Sequence, residues 1–182
     1  MSTSPVIEVS RFVFSDKQLS DIRANSFAQN YWPLVYVLSD DNKRLAYVGE
    51  TADAVARMTT HLKHDAKRHL SVVHLITSLK FNKSATLDIE SNLIKYMSAD
   101  GRFKLLNGNL GLADHNYYQK DILYADIFQH LWDQLRAKGV TQHSLDHLDN
   151  SDLFKYSPYK ALSADQRQGL LGIMHSLVSD TT

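Results

Sequence analysis

Glu90 lies in a stretch, Ser84–Ala99, whose apolar residues recur at helical spacing. At about 100° per residue it falls inside the arc formed by Leu87, Leu93, Ile94 and Met97, while Asp88, Ser91, Asn92 and Lys95 collect on the opposite side. A carboxylate in an apolar arc is expected to be buried. An unpaired buried charge is costly, so Glu90 needs a cation, either an arginine or a metal ion. A second helix, read from Asp53 to His64, offers a partner. Ala54, Val55, Met58 and Leu62 make its stripe, and Arg57 and His61, at i and i+4, stack along one side. Arginine presents a planar fork suited to a phosphate oxygen, and histidine a donor or a proton relay. Tyr36 and Tyr47 stand on neighbouring strands. Each must bury a large apolar ring while finding a partner for its hydroxyl.

These residues need a frame. Val6–Phe14 is β-branched and aromatic and reads as a strand, and Ser15-Asp-Lys-Gln18 is a capping box that opens a helix to about Gln29. Trp32–Leu38 is apolar enough for a buried strand. Arg44–Gly49 returns beside it as an antiparallel hairpin across the five-residue loop Ser39–Lys43. Thr51 or Asp53 caps the helix of Arg57, Ser71–Thr77 is a further strand, and Ser84 opens the helix of Glu90. Phe103–Leu106 is short and extended, ahead of the turn-rich Asn107–Asn109. This order predicts an α/β (α+β) fold, a small central mixed sheet of three to four strands flanked by helices. A C-terminal helical extension follows: Tyr117–Lys138 stopped by Gly139, a turn over Ser144–Asn150, and a last helix from the capping box Ser163-Ala-Asp-Gln166 to about Val178. The chain thus divides into an N-terminal strand and helix (1–30), a central module (31–116) and the extension (117–182).

The 182 residues suffice for one domain with an appendage, and 43% hydrophobic with 22% charged residues describe a soluble globular chain. The absence of cysteine removes disulfides, thiolate zinc sites and cysteine nucleophiles. No apolar run reaches the ~20 residues of a membrane span, and Met1–Ser10 lacks the layout of a signal peptide, so a cytoplasmic location is expected. The net charge is zero. Nucleic acid would therefore have to be held by a local patch or with help from another domain. His61–His69 is such a patch, with Lys63, Lys67 and Arg68 as candidate phosphate contacts. Its three histidines are too irregularly spaced, and the chain too poor in thiolates, for a zinc site.

Leu34-Val-Tyr36, Tyr47-Val-Gly49 with Thr51 behind it, Arg57, His61 and Glu90 resemble, in order and spacing, the GIY-YIG endonuclease family. The resemblance covers about Trp32 to Asn109 and identifies the central module as a nuclease domain. It implies a single Mg²⁺ or Mn²⁺ held by Glu90, with Arg57 neutralising a non-bridging phosphate oxygen. Tyr36 would position or deprotonate the attacking water, supported by Tyr47 and His61. A tyrosine with an ordinary pKa of ~10 can act as a base near neutrality only beside a cation such as Arg57 or the metal. The family also uses an asparagine after the glutamate helix; Asn107 is the first choice here and Asn109 the second. Leu34 replaces the glycine of the first motif, and valine replaces isoleucine in both, but no catalytic position is lost. The implied activity is metal-dependent hydrolysis of phosphodiester bonds in DNA. The alternative is a catalytically silent nucleic-acid-binding or partner-docking module.

Asn107–Tyr118 and Asp152–Gln166 look like a subgroup in which this nuclease module precedes a Schlafen-like DNA/RNA helicase-type ATPase. Ser163–Val178 resembles the helix leading into the motor. The chain holds no G-x-x-x-x-G-K-S/T, so the resemblance implies an N-terminal piece of a longer protein whose C-terminal ATPase partner lies beyond Thr182.

Overall fold

The computed structural model describes residues 7–108, 117, 120–152 and 154; Asn109, the Ser163-Ala-Asp-Gln166 box and the Ser163–Val178 helix lie outside them. Its centre is β2 (Leu34–Asp40), all seven residues of which are buried. A strand covered on both faces reads as a continuous apolar run rather than an alternating one, as this segment does. β2 pairs antiparallel with β3 (Leu45–Thr51) on one side and with β4 (Val72–Thr77) on the other. β1 (Glu8–Val13) adds antiparallel to β4, and β5 (Lys104–Leu105) adds parallel to β3, giving the order β1-β4-β2-β3-β5. The expected mixed sheet flanked by helices is therefore present, with a fifth strand because the N-terminal segment joins its edge.

Alternation along the strands divides the interior in two. Leu34, Tyr36, Leu38, Val73 and Leu75 face one core with Ile22 of α1 (Leu19–Ala24), Ala28 of α2 (Ser26–Gln29) and Met58 of α3 (Ala54–Leu62). Val35, Val37, Ala46, Val48 and Ile76 face the other, against Ile89, Leu93 and Met97 of α4 (Lys83–Asp100). α5 (Lys120–Ala137) packs Ile127, Phe128, Leu131, Trp132 and Leu135 into that second core. Gln134 of α5 donates to the Ile7 carbonyl and accepts from the Val9 amide. α6 (Leu145–Asp149) closes this layer with Leu145 and Leu148.

Four local expectations are corrected. Ser15 makes no capping bond; a 3-10 turn over Asp16–Gln18 leads into α1, and extended Asn25 then breaks the helix and caps α2 through its own side chain. The hairpin loop is Asp41–Arg44, one residue shorter than expected, because Asp40 still pairs with Leu45 and its carboxylate accepts from the Lys43 amide at 2.8 Å. α4 starts at Lys83 under an Asn82 cap, not at Ser84, and stops at left-handed Gly101. Nor is α4 one-sided: Asp88 is 0% and Ser91 7% exposed, because the sheet covers one face and the C-terminal helices the other.

Candidate active site

The antiparallel register of β2 and β3 sets Tyr36 opposite Gly49 and Leu38 opposite Tyr47. Tyr36 lies flat across Gly49, and a Cβ there would run into the tyrosine hydroxyl and Cζ. Close approach, not a special φ, is what requires a glycine at this position. The Tyr36 side chain is 1% exposed, and its hydroxyl shares a 2.7 Å hydrogen bond with His61 Nε2. Tyr47 sits beside them, its ring 6.3 Å from that of Tyr36 and edge-on to His61 at 5.2 Å. Lys67 folds back so that its ammonium lies 3.5 Å from the Tyr47 ring centroid, within cation–π range.

α3 delivers Arg57 and His61 one turn apart. Thr51 Oγ1 accepts from the Asp53 amide at 2.9 Å, and Asp53 accepts from the Ala56 amide at 2.9 Å, which fixes where the helix begins. Of the two expected caps, Asp53 fills the position and Thr51 supports it. Arg57 is exposed, and among the described residues its guanidinium has no hydrogen-bond or ion-pair partner.

The electrostatics follow from burial beside cations. Burial, then Lys67, Arg57 and His64, pull His61 down to about 4, so the imidazole is neutral at neutral pH. Burial and then Tyr47 push Tyr36 far up, against the pull of Arg57. Tyr47 is raised by burial and by Glu90, and Arg57 again opposes. Burial and Arg57 lower Lys67.

Glu90 approaches from α4, on the opposite side of the sheet. It is half-buried, and its pKa is pushed up to about 7 by burial first and Glu50 second, with Lys83 and Arg57 pulling the other way. Among the described residues it has no hydrogen bond or ion pair. A desolvated carboxylate lacking a direct partner is a suitable oxygen donor for a hard divalent cation, so Glu90 fits that role. Among the described residues no three His, Asp or Glu side chains gather as a metal cluster. Glu50 is the carboxylate that acts on Glu90, and sequence reading missed it. The available signal was strand alternation: one residue past Gly49, Glu50 falls on the face of Ala46 and Val48, which looks at α4. There it pairs with Lys83 and lies 3.5 Å from Thr86 Oγ1.

Asn107 borders the cluster with its amide committed to the backbone, donating to the Val48 carbonyl at 2.8 Å and accepting from the Val48 amide at 3.0 Å. It extends the pairing of β5 by one rung. Of the basic patch, Lys67 joins the cluster. Lys63 ends α3, and Arg68 pairs with Asp65 at 3.6 Å; both are exposed and make no hydrogen bond, ion pair or ring contact with the tyrosines. Tyr36, Tyr47 and His61 therefore cluster on one face of the sheet, and Glu90, on the other, is near enough to Tyr36, Tyr47 and Arg57 for their charges to act on one another. Among the described residues no helix is long and apolar enough to cross a membrane. Compared with known proteins, the chain matches no family model, no curated protein and no solved structure.

Proposed function

We propose that this edge of β3 is the active site of a metal-dependent endonuclease that hydrolyses phosphodiester bonds in DNA. The observation that carries this reading is a cluster of two tyrosines and a histidine on one face of the sheet, with an unpaired arginine from that face and a partnerless glutamate from the other both acting electrostatically on the tyrosines. A Mg²⁺ or Mn²⁺ ion at Glu90 supplies charge neutralisation for the scissile phosphate and the leaving oxygen. Arg57 offers its fork to a non-bridging oxygen. Tyr36 would orient the attacking water, its hydroxyl held at 2.7 Å by neutral His61 Nε2, and the water's proton would end on the departing oxygen. Tyr47 orients the water from the more exposed side. In the reaction one P–O bond breaks and the water oxygen replaces the departing one.

Lys63, Lys67 and Arg68 meet neighbouring phosphates in this reading. With zero net charge the chain holds DNA weakly and salt-sensitively alone. A C-terminal helicase-type ATPase in the cytoplasm would supply the remaining affinity. A second reading, a catalytically silent nucleic-acid-binding or partner-docking module, draws support from Tyr36, whose side chain is nearly closed to water at 1% exposure.

Incubation of supercoiled plasmid and branched DNA with Mn²⁺, Mg²⁺ or EDTA separates the two. The nuclease reading expects metal-dependent nicking that Glu90→Ala lowers on the order of 10³-fold, the scale of losing one stabiliser of developing charge. Binding without cleavage by well-folded protein on every substrate would leave the silent module.

A further inference from the structure

Glu50 and Lys83 have no part in the chemistry above, yet both act on Glu90. Glu50 leaves β3 toward α4 with a side chain 11% exposed, and Lys83, the first residue of α4, reaches it with one 61% exposed. Lys83, Thr86 and Glu90 stand at i, i+3 and i+7, one face of the helix. Thr86 Oγ1 donates to the Lys83 carbonyl at 3.0 Å and lies 3.5 Å from Glu50 Oε2, between the ion pair and the turn that carries Glu90. One edge therefore holds two carboxylates and one tethered ammonium. Glu50 has a partner and Glu90 has none.

Lysine is a point charge on a flexible stem, able to leave with little else moving. A divalent ion carries twice its charge and prefers several oxygen donors, which two carboxylates meet better than one. An ordinary surface ion pair would contribute little to stability and nothing specific to the neighbouring glutamate. This pair differs because its acidic member is largely buried and faces the same helix surface as Glu90.

We infer that Glu50 is a second carboxylate for the divalent ion at Glu90, and that Lys83 is an internal cation that holds Glu50 and competes with that ion. The inference rests on the nuclease reading for the place of the metal. When the ion binds, Glu50 exchanges its ammonium partner for the metal, and the released Lys83 turns outward at the DNA-facing edge. The device keeps Glu50 satisfied in the metal-free protein and makes metal uptake dependent on the loss of one contact.

Mn²⁺ titration of the full chain without DNA, read by the electron paramagnetic resonance of free Mn²⁺, tests this without an activity assay. Lys83→Gln is expected to bind Mn²⁺ about tenfold more tightly than wild type and Glu50→Gln about tenfold more weakly, the range in which a neighbouring partner shifts metal affinity. In the double variant the Lys83→Gln gain disappears, since there is no Glu50 left to release; simple charge repulsion by Lys83 would instead persist and add. Lys83→Gln binding no more tightly than wild type, or a gain that survives in the double variant, overturns the inference. If wild type binds too weakly to measure, binding that appears in Lys83→Gln supports it and continued absence overturns it. Glu90→Gln isolates the underlying reading: Mn²⁺ binding that survives this change removes the metal from Glu90 altogether. Loss of binding in Glu90→Gln alone, with the other variants like wild type, leaves the nuclease site and removes only the role of Glu50 and Lys83.

Discussion

Asp88 and Glu90 are two residues apart on α4, about 200° around the helix, and their surroundings are opposite. Asp88 is fully buried against the C-terminal layer, with Lys120 Nζ at 3.2 Å and the Tyr117 hydroxyl donating to it at 3.4 Å. Glu90 is less buried, has no ion pair among the described residues, and is pushed up to about 7. The deeper carboxylate is the ion-paired one, although its Oδ1 accepts no hydrogen bond among the described residues. What distinguishes Asp88 from the β3-edge carboxylates is therefore not depth alone: its cation is itself mostly buried, whereas Glu90 has no counter-ion among the described residues and the Lys83 that holds Glu50 is largely exposed.

This contrast can be tested through stability. Asp88→Ala removes a fully buried carboxylate from beside the Lys120 ammonium and is expected to lose about 3 kcal/mol of unfolding free energy in urea melts. A loss under about 0.5 kcal/mol, the scale of an ordinary surface change, would make the pair as dispensable as an exposed one and dissolve the comparison. His74 sharpens it from a third direction. It is 3% exposed, neither ring nitrogen has a hydrogen-bond partner among the described residues, and burial first, then Arg11 and Lys138, pull it from 6.5 to about 4. The folded state therefore binds fewer protons than the unfolded one between those values, and stability falls as pH drops from 6.5 toward 4. The expected loss from His74 is about 2 to 3 kcal/mol between pH 7 and 4, with His61 acting in the same sense. Urea midpoints of wild type and His74→Leu across that range should show a flatter slope in the variant; parallel slopes would assign the acid sensitivity to other groups. The smallest effect has the opposite sign. Glu90 is raised from 4.5 to about 7, so its ionisation costs the fold progressively as pH climbs through that window. In EDTA at pH 8, Glu90→Gln is expected to gain about 1 kcal/mol, reduced from the full shift because the site is partly solvated. Equal stability would mean that Glu90 already has an adequate partner.

The mixed sheet, the one-turn spacing of Arg57 and His61 and the partial burial of Glu90 were legible in the sequence, because each depends on a period or a spacing within one element. What depended on a distant layer was not. The polar side of α4 looked solvent-facing until α5, more than twenty residues later, covered Asp88. Val6–Phe14 read as a strand, but nothing local announced its pairing with β4. Ser15 had the right residues for a capping box and lost to a 3-10 turn. Strand alternation alone does not mark out Glu50; the face it occupies follows only from the register of β2 on β3 and the position of α4 together. The resemblance implies a chemical role for Asn107, whereas its amide holds the backbone of Val48.

That last contact bears on how the molecule behaves in company. A bare strand edge is a row of unpaired amides and carbonyls that can recruit another chain into a growing sheet. β5 covers only the first part of β3, and the Asn107 side chain fills the next rung in place of a strand. A rung made by a side chain presents no further backbone to extend, so Asn107 interrupts the ladder at Val48. The remainder of the edge, Gly49 to Thr51, is too short to seed an intermolecular sheet. Among the described residues, that stretch is therefore a poor template for aggregation.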